Sequence, residues 1–305
     1  MQAGGGLCNT SLMGDLVMYG PRRPPRSKEQ GIRGVSCHVT EWGDTGAPLM
    51  VYLHGWADAG STFQFVVDEF VRDWHVVAPD WRGFGRSDCD CESYWFPDYL
   101  ADLNEWLETY SPDAPVLLVG HSMGANIASL YAGAMPERVR ALVNIEGFGL
   151  PDSDPAEAPG RYRAWIEAGR AGESFSTYRD MGSLAARIAK RHRGMGAGRS
   201  LFVARQWARE RFDGTVVLRA DPRHKLPNPV LYRRAEAEAC WRAISADVLL
   251  VSGTDSEMAQ RGLSALVAAL PAARTAAIEG AGHMLHFERP AELASVIEAF
   301  LGDFL

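Results

Sequence analysis

Short, unbroken apolar runs recur along this 305-residue chain, and most are followed by a stretch with helical spacing. "APLMVYLHG" (47–55) and "WHVVAPD" (74–80) read as buried strands, and "APVLLVG" (114–120), "VRALVNIEG" (139–147), "DVLLVSG" (247–253) and "ARTAAIEG" (273–280) as further strands. "GVSCHVTEWG" (34–43) alternates like a strand with one buried face. Between them, "STFQFVVDEFVRD" (61–73) sets Phe63, Val66, Val67, Phe70 and Val71 on one helical face. "YLADLNEWLETY" (99–110), "MGANIASLYAGAM" (123–135), a segment reaching about Leu270 and "PAELASVIEAFLGDFL" (290–305) also read as helices. Strands and helices in alternation imply an α/β fold, a doubly wound and mostly parallel sheet covered on both sides.

The alternation stops between Phe148 and Cys240, where the text is mostly helical and broken by proline-rich joints. One sheet is therefore expected from residues 1–147 and 241–305, with a helical insertion over 148–240. Charge marks the same segment. Gly149 to Arg242 holds 18 Lys and Arg against 11 Asp and Glu, while the whole chain carries a net charge of −7. Within it "RIAKRHRGMGAGR" (187–199) reads as a solvated basic face; the competing reading is a lure for an anionic substrate or partner.

Composition narrows the classes of function. The overall negative charge argues against general nucleic-acid binding. No apolar run is long enough to span a membrane, and the short patch Leu12 to Met18 has no basic segment before it, so no secretory signal is expected. Five irregularly spaced cysteines fit neither a zinc pattern nor a disulfide framework. Reduced thiols in a cytoplasmic protein are the expectation.

Chemistry concentrates where strands end. Gly120-His121-Ser122-Met123-Gly124 is G-x-S-x-G between a buried run and a helix. Glycines there relieve the crowding of a sharp turn, which lifts the serine hydroxyl clear of the sheet. The helix starting at Met123 directs backbone N–H groups toward a developing oxyanion. His283 follows a Gly-x-Gly loop after a strand, at the edge where ligands gather on open α/β sheets. A neutral imidazole at that place can take and return the proton of Ser122. His286, three residues on, reads as structural.

Four motifs in order, "YLHGW", "PDWRGFGRSD", "GHSMGA" and "GAGHMLHFERP", resemble the α/β-hydrolase family from about Gly34 to the C-terminus. The resemblance implies an α/β-hydrolase sheet with an inserted cap (lid), similar in layout to haloalkane dehalogenase-like hydrolases. It implies Ser122 as nucleophile, His283 as base, and an oxyanion hole of the Trp56 and Met123 N–H groups. His54, Trp56, His121 and Phe148 are candidate pocket residues, although His54 also reads as a brace for its loop and the Trp56 ring as wall or packing. Two carboxylates compete to orient His283. Asp255 follows the strand that commonly supplies the acid, but the usual spacing falls on Ser256. Glu146 ends the preceding strand, as in some relatives, and is the favoured reading. A serine rather than an aspartate at the elbow points away from epoxide and haloalkane hydrolysis. Carboxylic ester hydrolysis of a small, apolar acyl substrate is expected, without metal or organic cofactor. Lactone, amide or C–C hydrolysis, lyase chemistry and a slow-turnover ligand-binding receptor remain alternatives.

Overall fold

The computed structural model describes residues 18–88, 91–192 and 194–305. Most of the patch Leu12–Met18, together with Cys89, lies outside the described residues. The chain opens with a hairpin, β1 (Arg26–Ile32) and β2 (Val35–Trp42), paired antiparallel. Its two-residue turn is Arg33-Gly34, with φ of 47° and 81°, the left-handed pair that matches strand twist. β3 (Leu49–Leu53), α1 (Gln64–Val67), β4 (His75–Pro79), α2 (Phe96–Tyr110), β5 (Val116–His121), α3 (Met123–Ala134) and β6 (Val139–Ile145) follow. The inserted segment carries α4 (Ala158–Ala171), α5 (Met181–Arg191), α6 (Gly196–Trp207), a small hairpin of β7 (Ala208–Glu210) and β8 (Val216–Leu218), and α7 (Arg234–Arg242). β9 (Asp247–Gly253), α8 (Glu257–Ala269), β10 (Arg274–Ile278), α9 (Leu285–Glu288) and α10 (Pro290–Leu301) complete the chain.

Eight strands form one sheet in the order β1-β2-β4-β3-β5-β6-β9-β10. From β4 to β10 every pairing is parallel, and β1 and β2 add an antiparallel edge. The sheet separates two apolar layers. One packs β3, β5 and β6 residues such as Tyr52, Val119 and Val143 against α1 and α10, and the other packs Leu53, Leu118 and Leu142 against α2, α3 and α8.

Some expectations are corrected. β1 escaped the hydrophobic pattern because "RSKEQGI" lies on the exposed edge and only Ile32 is buried. The helix expected over 61–73 shrinks to a 3-10 turn and the four residues of α1. Its continuation is broken because the Glu298 carboxylate accepts the N–H groups of Val71 and Arg72 and the indole N–H of Trp74. Phe63, Val66, Val67 and Phe70 stay buried, but Val71 is turned out, 87% exposed. Cys37 and Cys240 are free, whereas Cys91 is disulfide-bonded, against the expectation of reduced thiols. Among the described residues no helix is long and apolar enough to cross a membrane.

The inserted segment sits over the C-terminal ends of the strands. Trp207 donates its indole N–H to Asp58 in the loop after β3 at 2.7 Å, and Ala220 forms a bridge with Phe84 after β4. His224 is stacked between the rings of Phe84 and Tyr94, at 3.7 and 3.4 Å between centroids.

Candidate active site

Three loops at the C-terminal edge of the sheet supply the site. Between β5 and α3, Ser122 adopts φ 52°, ψ −114°, a region that costs an L-residue about 1–3 kcal/mol. Surrounding structure holds it there: its N–H donates to Ile145 O at 2.8 Å, and its carbonyl accepts from Asn126 at 3.0 Å. The flanking glycines are required by crowding. A Cβ on Gly120 would lie 2.6 Å from the Ala125 Cα, and one on Gly124 would strike the Leu53 carbonyl.

His283 reaches into this turn from the loop after β10. Its Nε2 lies 3.0 Å from Ser122 Oγ and its Nδ1 lies 3.1 Å from Glu146 Oε2. Glu146 stands just past β6, at φ 60°, and is 1% exposed. A buried carboxylate is costly unless it is well provided with donors. Here Gly253 N–H donates to Oε1 at 2.9 Å and the Ser256 hydroxyl donates to Oε2 at 2.5 Å. Asp255 is not brought to His283. It is exposed, its N–H is tied to Ala281 O, and its carboxylate accepts from the Thr254 hydroxyl at 3.3 Å.

Ser256 was not singled out as a site residue, although it occupies the position where the usual spacing would put an acid. It caps α8 by accepting from Ala259 N–H while donating to Glu146. That spacing was the available signal.

The N–H of Met123 opens α3, where the first turn has no intrahelical acceptor. Trp56 follows β3 in the facing loop; its ring is 49% exposed and lies against Phe84 and Phe175 at 6.3 and 6.1 Å. The expectation that His54, His121 and Phe148 line the pocket is corrected, since they are 0%, 1% and 3% exposed. His54 donates through Nδ1 to Gly55 O and accepts the Trp81 N–H at Nε2, so it braces the loop. His121 donates through Nε2 to the carbonyl of His283 at 2.8 Å. Phe148 is enclosed beneath α8, where its Cβ fills the space beside Gly262.

A buried pair lies beneath the site. His286 Nε2 donates to Asp58 Oδ2 at 3.2 Å, and Thr62 and Trp207 donate to Asp58 Oδ1 at 2.8 and 2.7 Å. Burial alone would raise the Asp58 carboxyl; the hydrogen bond and charge of His286 outweigh it and hold the group below the usual carboxylate range. Burial, then the neighbouring His286 and His283, push His121 well below an ordinary histidine. Asp58, His121 and His286 set potential metal-ligand atoms within 4.8 Å of one another. Both Asp58 oxygens already accept from Thr62, Trp207 and His286, whereas Nδ1 of His121 and Nδ1 of His286 are buried without a hydrogen-bond partner among the described residues.

A strained serine, a histidine and a buried carboxylate in one hydrogen-bonded line, at the loop edge of a mostly parallel sheet, define a hydrolase of the α/β class. The family profile described as the alpha/beta hydrolase fold matches residues 48–290, and the chain belongs to that family. It is 34% identical over 111 residues to a serine hydrolase-like protein of Danio rerio, covering 36% of this chain and 34% of that protein. It is 35% identical over 122 residues to epoxide hydrolase 4 of Mus musculus, covering 39% and 33%. These alignments span about a third of the relatives' own length. Among solved structures, a thioesterase domain from the curacin biosynthetic pathway superposes with a TM-score of 0.82 at 24% identity, over 90% of this chain and 99% of that one. At that identity the likeness concerns the fold.

Proposed function

We propose that this α/β hydrolase cleaves carboxylic esters through an acyl-enzyme on Ser122. The observation that carries the reading is the unbroken line from Ser122 Oγ through His283 to Glu146. His283 Nε2 takes the hydroxyl proton as Oγ attacks the ester carbonyl. The buried Glu146 carboxylate holds the ring by Nδ1–H and stabilises the imidazolium. The N–H groups of Met123 and Trp56 receive the tetrahedral oxyanion. As the C–O bond breaks, the imidazolium returns its proton to the leaving alcohol. Water then attacks the acyl-enzyme, His283 taking its proton, and the acid departs from a regenerated serine.

Serine at the elbow supports an ester rather than an epoxide as substrate, even though an epoxide hydrolase is among the relatives, because epoxide hydrolases of this fold attack with an aspartate. Turnover of p-nitrophenyl butyrate tests the reading. Ser122→Ala is expected to lower kcat by about 10³-fold or more without changing the melting temperature by more than a few degrees. Wild-type protein with no turnover across acetate, butyrate and octanoate esters contradicts it.

A further inference from the structure

We propose that Arg86, Arg209 and Arg219 form a recognition site for a carboxylate carried by the substrate, on the side of the mouth roofed by the cap hairpin. The inference rests on the ester-hydrolase reading above and adds the substrate's charge to it.

The geometry begins with the hairpin. In the β7–β8 ladder Ala208 faces Leu218 and Arg209 faces Val217. Beyond the ladder the Arg219 N–H donates to Trp207 O at 2.6 Å. Paired residues and their second neighbours share a face, so Trp207, Arg209, Val217 and Arg219 project together and Glu210 projects the other way. On this face Trp207 bonds Asp58, two residues past Trp56, and Val217 is buried while Arg209 is exposed; Ala208 and Val216 on the other face are buried in the cluster that holds Phe65 and Phe287. Ala220 bridges Phe84 in antiparallel sense, which sets Arg86 beside the strand carrying Arg219. The Phe84 ring meets Trp56 edge-on, so the segment that carries Arg86 and bridges the strand of Arg219 also contacts the expected oxyanion loop.

Their charge is unanswered. Among the described residues none of the three is in an ion pair. Arg219 is half-buried, and its Nε donates to Ala208 O at 3.1 Å, leaving its terminal nitrogens unengaged. Burial, then the charges of Arg86 and Arg209, lower its pKa. Asp80 offsets part of this, but its oxygens already accept from Gly60 N–H, Arg86 N–H and the His38 ring. Arg86 and Arg209 are exposed and Arg219 is half-buried, so the cluster presents a net positive field beside one partly desolvated guanidinium, and a fork of guanidinium donors suits a carboxylate. The basic helix near 187–199 differs. Arg187, Lys190 and Arg191 are solvated there, and Arg199 lies over the Tyr19 and Phe65 rings.

The test compares p-nitrophenyl hexanoate with mono-p-nitrophenyl adipate, equal in acyl length and differing in a terminal carboxylate. Succinate and suberate monoesters span the reach. Wild-type kcat/KM is expected to favour one of the acidic monoesters over its neutral counterpart by about tenfold or more, and less so in high salt. Arg219→Gln, Arg209→Gln and Arg86→Gln should each shrink that preference while hexanoate turnover stays within about threefold. A wild type that treats the paired esters alike, or a preference that survives all three substitutions, overturns the proposal. Calorimetric binding of mono-p-nitrophenyl adipate to Ser122→Ala separates the two readings. If wild type turns over no ester while this binding still depends on the arginines, ester hydrolysis falls and the anion site stands. With neither turnover nor binding, both fall.

Discussion

At the residue scale the site turns on which carboxylate meets His283. Glu146 accepts its Nδ1–H, while Asp255 faces solvent. Glu146→Gln is therefore expected to cut ester turnover by about 10²-fold or more, and Asp255→Asn to leave it within about threefold. Steady-state rates on one ester, with melting temperatures for both variants, measure this. A second expectation follows from Ser256, whose hydroxyl sits 2.5 Å from the Glu146 oxygen that His283 uses. Adding Ser256→Asp to Glu146→Gln should recover at least tenfold of the lost rate; no recovery in a folded double variant means the carboxylate cannot be moved there. Ser122 and His283 were legible in the sequence because glycines beside a polar residue at a strand end have few other uses. The choice of acid was less so, since both carboxylates end strands and only folding shows that β9 lends its Gly253 N–H and the α8 cap its hydroxyl to Glu146.

At the element scale the cap is unevenly fastened. α5 and α6 enclose Leu184, Ile188, Val203 and Ala204 and seat on Phe65 and Phe287 of the core. α4 buries no residue at all, and Tyr162 and Ile166 on it are 54% and 50% exposed. Local stability follows buried contacts, so amide exchange should be much faster in 158–171 than in 181–191 and 196–207. Equal protection of the three helices by hydrogen-exchange mass spectrometry contradicts that packing. The main strands were readable because burial on both faces leaves continuous apolar runs. The edge strand β1 and the hairpin β7–β8 were not, because one is polar and solvated and the other is three residues to a strand.

At the scale of the whole molecule, buried neutral histidines tie stability to pH. Burial is the first cause in each case: it pushes His224 down to about 3 and lowers His54, His75 and His121. The unfolded chain takes up protons near pH 6.5 while these folded groups do not. Below that pH the unfolded state binds more protons, so folding stability falls with acidity. Each such group contributes about 1.4 kcal/mol per pH unit until its folded pKa is reached. Chemical denaturation at pH 7.5, 6 and 5 should show the decline, and His224→Gln should make it shallower. Stability that is flat or rises on acidification contradicts this. The doubly wound sheet and its insertion were both legible, because hydrophobic period and charge change at the same joints. The seating of the insertion was not, since it depends on pairs such as Trp207–Asp58 and His224 between Phe84 and Tyr94, which no local pattern announces.

The acyl-enzyme claim is tested most directly by locating the nucleophile. Protein treated with a fluorophosphonate and digested should carry one phosphonyl group, on the Ser122 hydroxyl. Labelling should slow in His283→Ala and Glu146→Gln but not in Asp255→Asn. An adduct on another residue, or labelling that persists in Ser122→Ala, contradicts the account.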